Sequence, residues 1–392
     1  MSFITRCIAQ SYKGSTVRTL SRKAAAWTGG AIIAAGGVGA GAYAAVAHNG
    51  APAPRQHVAA APARPAPPPP PLRLLSVSPA AGSRGVDGAD SITVTFNRPL
   101  PASAPLPRLS PAVAGAWQRE GDAAVFTPQP GIPAGTRETV MVSAGDGPVR
   151  SEQKFSFTTA AYSTLRLQEL LAQLGYLPMS WAPAVGAAIP DESPAAQLAA
   201  AYQPPPGTFT WRHGYPSALH SFWRQGSANL LAKGAITGFE ADHGLATDGV
   251  AGPRVWAQLL RAAETGAGNR HGYSYAIASQ SIPETLTIWH DGRQVFSSAA
   301  NTGISAAPTP VGTFPVYEKL PFQVMQGTNP DGSHYADPVQ WVSYFEGGSA
   351  VHYIARGSYG YPQSLGCVEL PYSAAAQAYP YLPYGTLVTV TP

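Results

Sequence analysis

The stretch "GGSAVHYIARGSYGYPQSLGCVEL" (347–370) places two short apolar runs around a Gly/Pro-rich loop, with a histidine near the end of the first run and a cysteine opening the second. "AVHYIA" reads as a strand, and "RGSYGYPQS" reads as a loop that lets the chain return beside it. His352 and Cys367 can then face each other as a Cys–His pair. Thiol chemistry needs the thiolate, so a neighbouring base must act on a group whose ordinary pKa is about 8.5. Gly366 lets the amides at 366–367 approach an acyl oxygen, which is the geometry of an oxyanion hole. Spacing alone leaves the plainer alternative open, a polar residue ending a strand and an inert thiol.

Cysteine usage narrows the choice. The chain has 392 residues and two cysteines, Cys7 and Cys367. Cys7 belongs to a basic N-terminus with Arg6, Lys13, Arg18, Arg22 and Lys23 and no acid, followed by an uncharged run from Ala24 to beyond Ala47. That is the pattern of a secretory signal or an N-terminal membrane anchor, so residues 1–50 are expected to direct export; Ala45-Val46-Ala47 offers a cleavage site, and cleavage stays open. Outside the cytoplasm cysteines usually pair. Cys367 would have no partner there, which leaves an intermolecular bridge, an inert buried residue or a reactive nucleophile.

The chain carries 25 Lys+Arg against 21 Asp+Glu, and five of the basic residues lie in the first 23. The remainder is close to neutral, so no basic patch argues for nucleic acid. Pro (40) and Gly (41) are abundant, as in a loop-rich chain of several small domains. Residues 51–72 form a Pro/Ala linker, an extended spacer. From 73 to 160, short alternating runs such as "SITVTFNRPL" and "KFSFTTA" between Gly/Pro/Asp turns predict an all-β sandwich. Between 161 and 262 the period becomes helical, with helices expected over "STLRLQELLAQLG", "GAITGFEADHG" and "PRVWAQLL". The segment 179–227 interrupts them and carries Trp181, Trp211 and Trp223, readable as a sugar-stacking surface or as packing over the helices. From 272 to 392 the pattern is β-rich again, with a short helix in "PYSAAAQAYPYL". His334 and Asp337 lack a second ligand pair at zinc spacing, and a flexible loop is their expected context.

"TPVGTF" (309–314), "DPVQWVSYFEGGSAVHYI" (337–354), "SLGCVEL" (364–370), "NTG" (301–303) and "GTLVTV" (385–390) together resemble the YkuD-like L,D-transpeptidase catalytic domain. The 73–160 region similarly resembles bacterial Ig-like domains. Two pieces of 161–262, around Leu167, Gln168 and Gly175 and around Phe239, Asp248, Gly249 and Trp256, resemble a three-helix peptidoglycan-binding module. The fold implied is a mainly β multidomain chain: N-terminal membrane segment, Ig-like β-sandwich, helical domain and β-rich catalytic domain.

By the transpeptidase resemblance Cys367 matches the nucleophile, His352 the base, Gly366 and Cys367 the oxyanion turn, and Ser364 the small hydroxyl residue before the nucleophile. The main-chain carbonyl of Tyr353 would orient the base, although the family usually has Gly or Ser at that point. Leu365 stands where His or Lys is usual, and Glu369 where Arg or Asn is common. Tyr359, Tyr361, Gln363, Leu365 and Glu369 are candidate substrate contacts. Glu369 either faces the cleft or pairs with Arg356. The implied reaction is cysteine acyl transfer on peptidoglycan stem peptides in the cell envelope, without metal or organic cofactor. An L,D-carboxypeptidase is not separable from it by sequence, and a non-catalytic peptidoglycan-binding protein is the rival of another class. Oligomeric state is not legible.

Overall fold

The computed structural model describes residues 69–392, apart from 147 and 148. The N-terminal segment 1–50 and most of the 51–72 linker lie outside the described residues. Among the described residues no helix is long and apolar enough to cross a membrane.

The first eight strands are β1 (Leu74–Ser78), β2 (Arg84–Val86), β3 (Ile92–Phe96), β4 (Arg108–Ser110), β5 (Gly115–Glu120), β6 (Ala123–Pro128), β7 (Arg137–Asp146) and β8 (Val149–Thr159). They form two four-stranded sheets, ordered β1-β3-β6-β5 and β2-β8-β7-β4. In "ITVTF" every second residue is buried, the alternation a one-sided sheet requires. Ile92, Val94, Phe96 and Phe126 from one sheet meet Val140, Val142 and Phe157 from the other in one core. The expected sandwich is present.

The helical region follows with α1 (Thr164–Gln173), the hairpin β9 (Met179–Pro183) and β10 (Gly207–Trp211) enclosing α2 (Pro194–Tyr202), and then α3 (Leu230–Asp242) and α4 (Pro253–Thr265). The three expected helices are α1, α3 and α4; α2 and the hairpin come from the interrupting segment. That segment makes the joint to the sandwich. Tyr202 Oη donates to the Ile132 carbonyl (2.8 Å), and Gln203 Nε2 donates to Asp87 Oδ2 (2.6 Å). Buried Arg166 donates to Glu169 Oε2 (3.0 Å) and Gln197 Oε1 (2.9 Å), tying α1 to α2. Trp181 is a core residue here, and Trp211 and Trp223 pack against the same core, Trp211 stacked on His220 at 3.9 Å. The structure thus favours packing over sugar stacking for these three.

The C-terminal region holds β11 (Ser274–Ser279), β12 (Thr285–His290), β13 (Arg293–Ala299), β14 (Gly312–Pro315), β15 (Glu318–Thr328), β16 (His334–Glu346), β17 (Ser349–Tyr353), β18 (Val368–Leu370), α5 (Tyr372–Ala378) and β19 (Leu387–Thr391). One sheet runs β13-β12-β11-β19-β14 and the other β15-β16-β17-β18. Ala276, Ile288 and Val388 of the first sheet and Phe345, Val351, Val368 and Leu370 of the second share a core closed by Ala375 and Ala378 of α5. His334 and Asp337 lie in strand β16, not in a loop, because β15 and β16 pair from Glu318↔Tyr344 out to Thr328↔His334.

The helices are not a free-standing bead. Tyr273, Tyr275 and Leu387 of the C-terminal region belong to the core of the helical region. On α3, Gly234 and Gly238 let the backbone come against the turn at 384–385. A Cβ on Gly385, which sits at φ +81°, would stand 2.1 Å from the Gly234 carbonyl oxygen. Only glycine fits there without displacement.

Candidate active site

β17 and β18 are parallel neighbours in the register Val351↔Val368 and His352↔Glu369. Parallel strands stand about 4.8 Å apart and residues two apart share a face, so this register puts Cys367, Glu369 and His352 on one side of the sheet. That side opens into a cavity of about 650 Å³, which all three residues line. The loop 354–367 makes the connection possible. Tyr359 Oη donates to the Ile354 carbonyl (2.6 Å), Gln363 Nε2 donates to the Ser358 carbonyl (2.8 Å), and Gln363 N and Ser364 N both donate to the Thr302 carbonyl (2.9 Å each).

His352 is buried, 2% exposed, and its Nδ1 lies 3.1 Å from the Tyr353 carbonyl oxygen. A carbonyl can only accept, so the proton sits on Nδ1 and the Nε2 lone pair is left for a thiol. Burial holds the imidazole below its ordinary pKa, partly opposed by that hydrogen bond. The Tyr353 side chain occupies the other side of the strand. Its ring packs edge-on to Tyr372 (5.1 Å between centroids), and Tyr372 packs on Trp341 (4.5 Å). The larger residue therefore fixes the base-orienting carbonyl without filling the cavity.

Cys367 is half-buried and unpaired, against Val339, Val342, Tyr344 and Ala350. Its Sγ lies 3.8 Å from the Gly348 carbonyl oxygen. Burial pushes the thiol up to about 11, the Ala350 N–H opposes that shift, and the charge of Glu369 adds to it. Burial thus favours the neutral form of both groups. The turn before the cysteine is built by Ser364, whose Oγ donates to the Cys367 carbonyl (2.7 Å) and accepts from Gly366 N (3.2 Å). Gly366 adopts φ +108°. Its N–H is thus occupied by Ser364, and the Cys367 N–H, with no partner among the described residues, is the amide left open to an acyl oxygen.

Of the five candidate substrate contacts, Gln363, Leu365 and Glu369 line the cavity, while Tyr359 and Tyr361 do not. Tyr359 staples the loop, and Tyr361 Oη meets Ser358 Oγ at its surface. Glu369 does both things the sequence set as alternatives. It lines the cavity and is bound by Arg356 through Nε–Oε2 (2.8 Å) and Nη2–Oε1 (2.5 Å). The sequence reading missed the other wall, which the β15–β16 hairpin supplies through Gln323, Met325, Tyr335, Asp337 and Tyr344. Alternation in "HYADPVQWV" was the available signal for a long strand. Among the described residues no group of three His, Cys, Asp or Glu side chains is placed to hold a metal ion.

Residues 275–390 match the family model described as the L,D-transpeptidase catalytic domain. This part of the chain is an L,D-transpeptidase catalytic domain. The match spans both sheets and carries His352 and Cys367 inside it. Comparison with curated proteins gives no match. Similar solved structures include an L,D-transpeptidase from Mycobacterium smegmatis, at 19% identity, with 82% of this chain and 100% of that one covered and a TM-score of 0.29. The catalytic domain of the Enterococcus faecium L,D-transpeptidase is 25% identical, covering 31% of this chain and 100% of that one at a TM-score of 0.28. L,D-transpeptidase 3 from Mycobacterium tuberculosis, in complex with a faropenem-derived adduct, is 16% identical, with 81% and 98% covered and a TM-score of 0.29.

Proposed function

We propose that this transpeptidase joins peptidoglycan stem peptides through a thioester on Cys367. The observation that carries the reading is the His352 imidazole, with Nδ1 committed to the Tyr353 carbonyl and Nε2 left free on the face that bears the thiol. The Cys367 sulfur attacks the carbonyl carbon of the third stem residue as its proton passes to His352 Nε2. The C–S bond forms and the carbonyl oxygen takes the electron pair, held by the Cys367 N–H. Collapse breaks the C–N bond to the terminal D-alanine, whose nitrogen takes the proton from the imidazolium. The side-chain amine of a neighbouring stem then attacks the thioester, giving a 3→3 cross-link and returning the thiol.

Burial pushes the thiol up to about 11 and the imidazole down, which favours proton transfer that accompanies attack. Three carboxylates, Asp331, Asp337 and Glu369, line the cavity against one arginine, Arg356, an excess that suits an acceptor bearing an ammonium group. Water in place of the amine would make the same site an L,D-carboxypeptidase. The Ig-like sandwich as a spacer, the helical region as a wall-facing module and residues 1–50 as export signal or anchor belong to the same proposal. Incubating the full chain with a disaccharide-tetrapeptide and separating the products by mass tests it. Release of D-alanine with a cross-linked dimer is expected, D-alanine without dimer would reassign it as a carboxypeptidase, and neither product would sink the reading.

A further inference from the structure

A second cavity, of about 460 Å³, lies at the seam where α3 and the loop after α4 meet β15 and the 379–384 segment of the catalytic domain. It shares no lining residue with the active-site cavity. Its volume falls in the range of about 300–1,000 Å³ typical of small-ligand sites. The seam is preformed, because Gly234 and Gly238 bring α3 backbone-to-backbone against the turn at 384–385.

The charged groups of this cavity are paired within the protein, with one exception. Asp242 accepts from Tyr176 Oη (2.8 Å) and pairs with His271 Nε2 (3.2 Å). Asn269 Nδ2 donates to the carbonyls of Gly175 (3.1 Å) and Gly272 (2.9 Å). Lys319 is the exception. Its Nζ donates to the Tyr379 carbonyl (2.8 Å) and lies 3.9 Å over the Tyr379 ring, and no carboxylate of the described residues is within ion-pair distance. Burial without an anion lowers its pKa to about 8. Tyr379, Pro380, Pro383 and Tyr384 supply the rings that line this cavity.

We infer that the seam cavity binds an acidic saccharide, its carboxylate on Lys319 and a sugar face against the tyrosine and proline rings. One unmatched cation calls for one anion, and flat apolar walls suit a pyranose ring better than an extended peptide, whose backbone amides would find few free partners there. The shared chemistry has two sources in a cell envelope, the lactyl carboxylate of a muramic acid unit that lacks its peptide, or a uronic acid. The choice of a wall saccharide rests on the proposed cell-wall role. β15 links the two cavities. Lys319 precedes Gln323, in the wall of the active site, by four residues, about 13 Å of strand. A glycan strand held at the seam would run beside the cavity that takes its stem peptide.

The test is calorimetric binding to the full-length Cys367→Ala protein, where no acyl chemistry is possible. A failure of the thioester mechanism therefore leaves the binding result untouched, and a failure of binding leaves the mechanism untouched. The probes are an N-acetylglucosamine–N-acetylmuramic acid disaccharide, the same disaccharide with its carboxylate amidated, and a glucuronic-acid disaccharide. At least one free-acid probe is expected to bind, and its affinity should drop about tenfold in Lys319→Met, the usual worth of a charge-assisted hydrogen bond. Lys319→Arg, which keeps the cation, should retain most of it. Whichever free acid binds identifies the source. Equal binding by the amide, undiminished binding by Lys319→Met, equal loss in Lys319→Arg, preference for a bare stem peptide, or no binding by either free acid would overturn the inference.

Discussion

Arg356 grips Glu369 with two parallel hydrogen bonds, of 2.8 and 2.5 Å, in the wall of the cavity that holds the Cys367 thiol. Glu369 is only 3% exposed, and its backbone exchanges both hydrogen bonds with Asn301 (2.9 Å each). A carboxylate so placed raises the thiol pKa, and the same ion pair anchors the strand that presents the nucleophile.

Replacing Glu369 by Gln removes that negative charge and leaves the Arg356 cation beside the cavity, so the alkylation pH profile of Cys367 should move to lower pH. Iodoacetamide labelling rates measured from pH 6 to 10 would show it, and an unmoved profile in a folded variant contradicts the electrostatic role. Glu369→Arg is the harsher change, because it sets two guanidinium groups together in a nearly closed site. It should cost about 3–5 kcal/mol of stability, the range for breaking a buried ion pair. A denaturant melt matching the parent protein would contradict that.

Ser364→Ala removes the hydroxyl that holds both Gly366 N and the Cys367 carbonyl. The cost in stability should be about 1–3 kcal/mol, the penalty for leaving a buried polar group unpaired. Acylation of the thiol should slow more than that loss alone implies, since the turn presents both sulfur and amide. Ser364→Thr, which keeps the hydroxyl, should recover part of the rate. Equal rates for Ser364→Ala and the parent protein would show the hydroxyl to be dispensable to the turn.

At the α3 seam, alanine at Gly385 should be worse tolerated than alanine at Gly238. The first Cβ would meet the Gly234 carbonyl oxygen at 2.1 Å from a positive φ, while the second would meet the Tyr384 carbonyl oxygen at 3.0 Å. Melting temperatures should fall in that order, and the reverse order would mean that the two regions do not pack as described.

Two buried carboxyls, Glu138 and Glu240, contribute to the pH dependence of stability. Burial raises Glu138 to about 6 and Glu240 to about 7, from an ordinary 4.5. The folded state therefore holds these protons more tightly than the unfolded one, and the stability these two groups contribute should decline as pH rises from about 4.5 to 7, against the opposite contribution of buried His352. Thermal melts of the parent protein and of Glu240→Gln across that window should differ in slope, the variant declining less with rising pH in the upper part. A slope unchanged in that variant would exclude Glu240 as its source.

The site was legible where chemistry and local pattern coincide. A cysteine whose one counterpart, Cys7, lies in the segment expected to direct export, a histidine near the end of an apolar strand and a Gly/Pro loop between them are local signals, and the β17–β18 register brings His352 and Cys367 to one face. The sandwich was legible from the alternation in "SITVTF" and "DAAVFTP". What depends on distant contacts was not. The wall of the cavity comes from a hairpin whose polar residues around His334 and Asp337 mask the alternation in "HYADPVQWV", and strand pairing shows how far it runs. Tyr353 resembled a crowding substitution, yet Trp341 and Tyr372, distant in sequence, draw its ring to the opposite side. The Gly366 amide was assigned to the oxyanion because spacing does not reveal that Ser364 Oγ already takes it.

The central claim is that Cys367 is an acylatable nucleophile activated by His352. Its most direct test is the intact mass of the full chain after incubation with a carbapenem, a strained acyl donor that leaves a stable adduct on a reactive thiol. A single adduct is expected on the parent protein, none on Cys367→Ala, and a strongly slowed one on His352→Ala. An adduct that persists without Cys367, or its absence from the folded parent protein, would contradict the account.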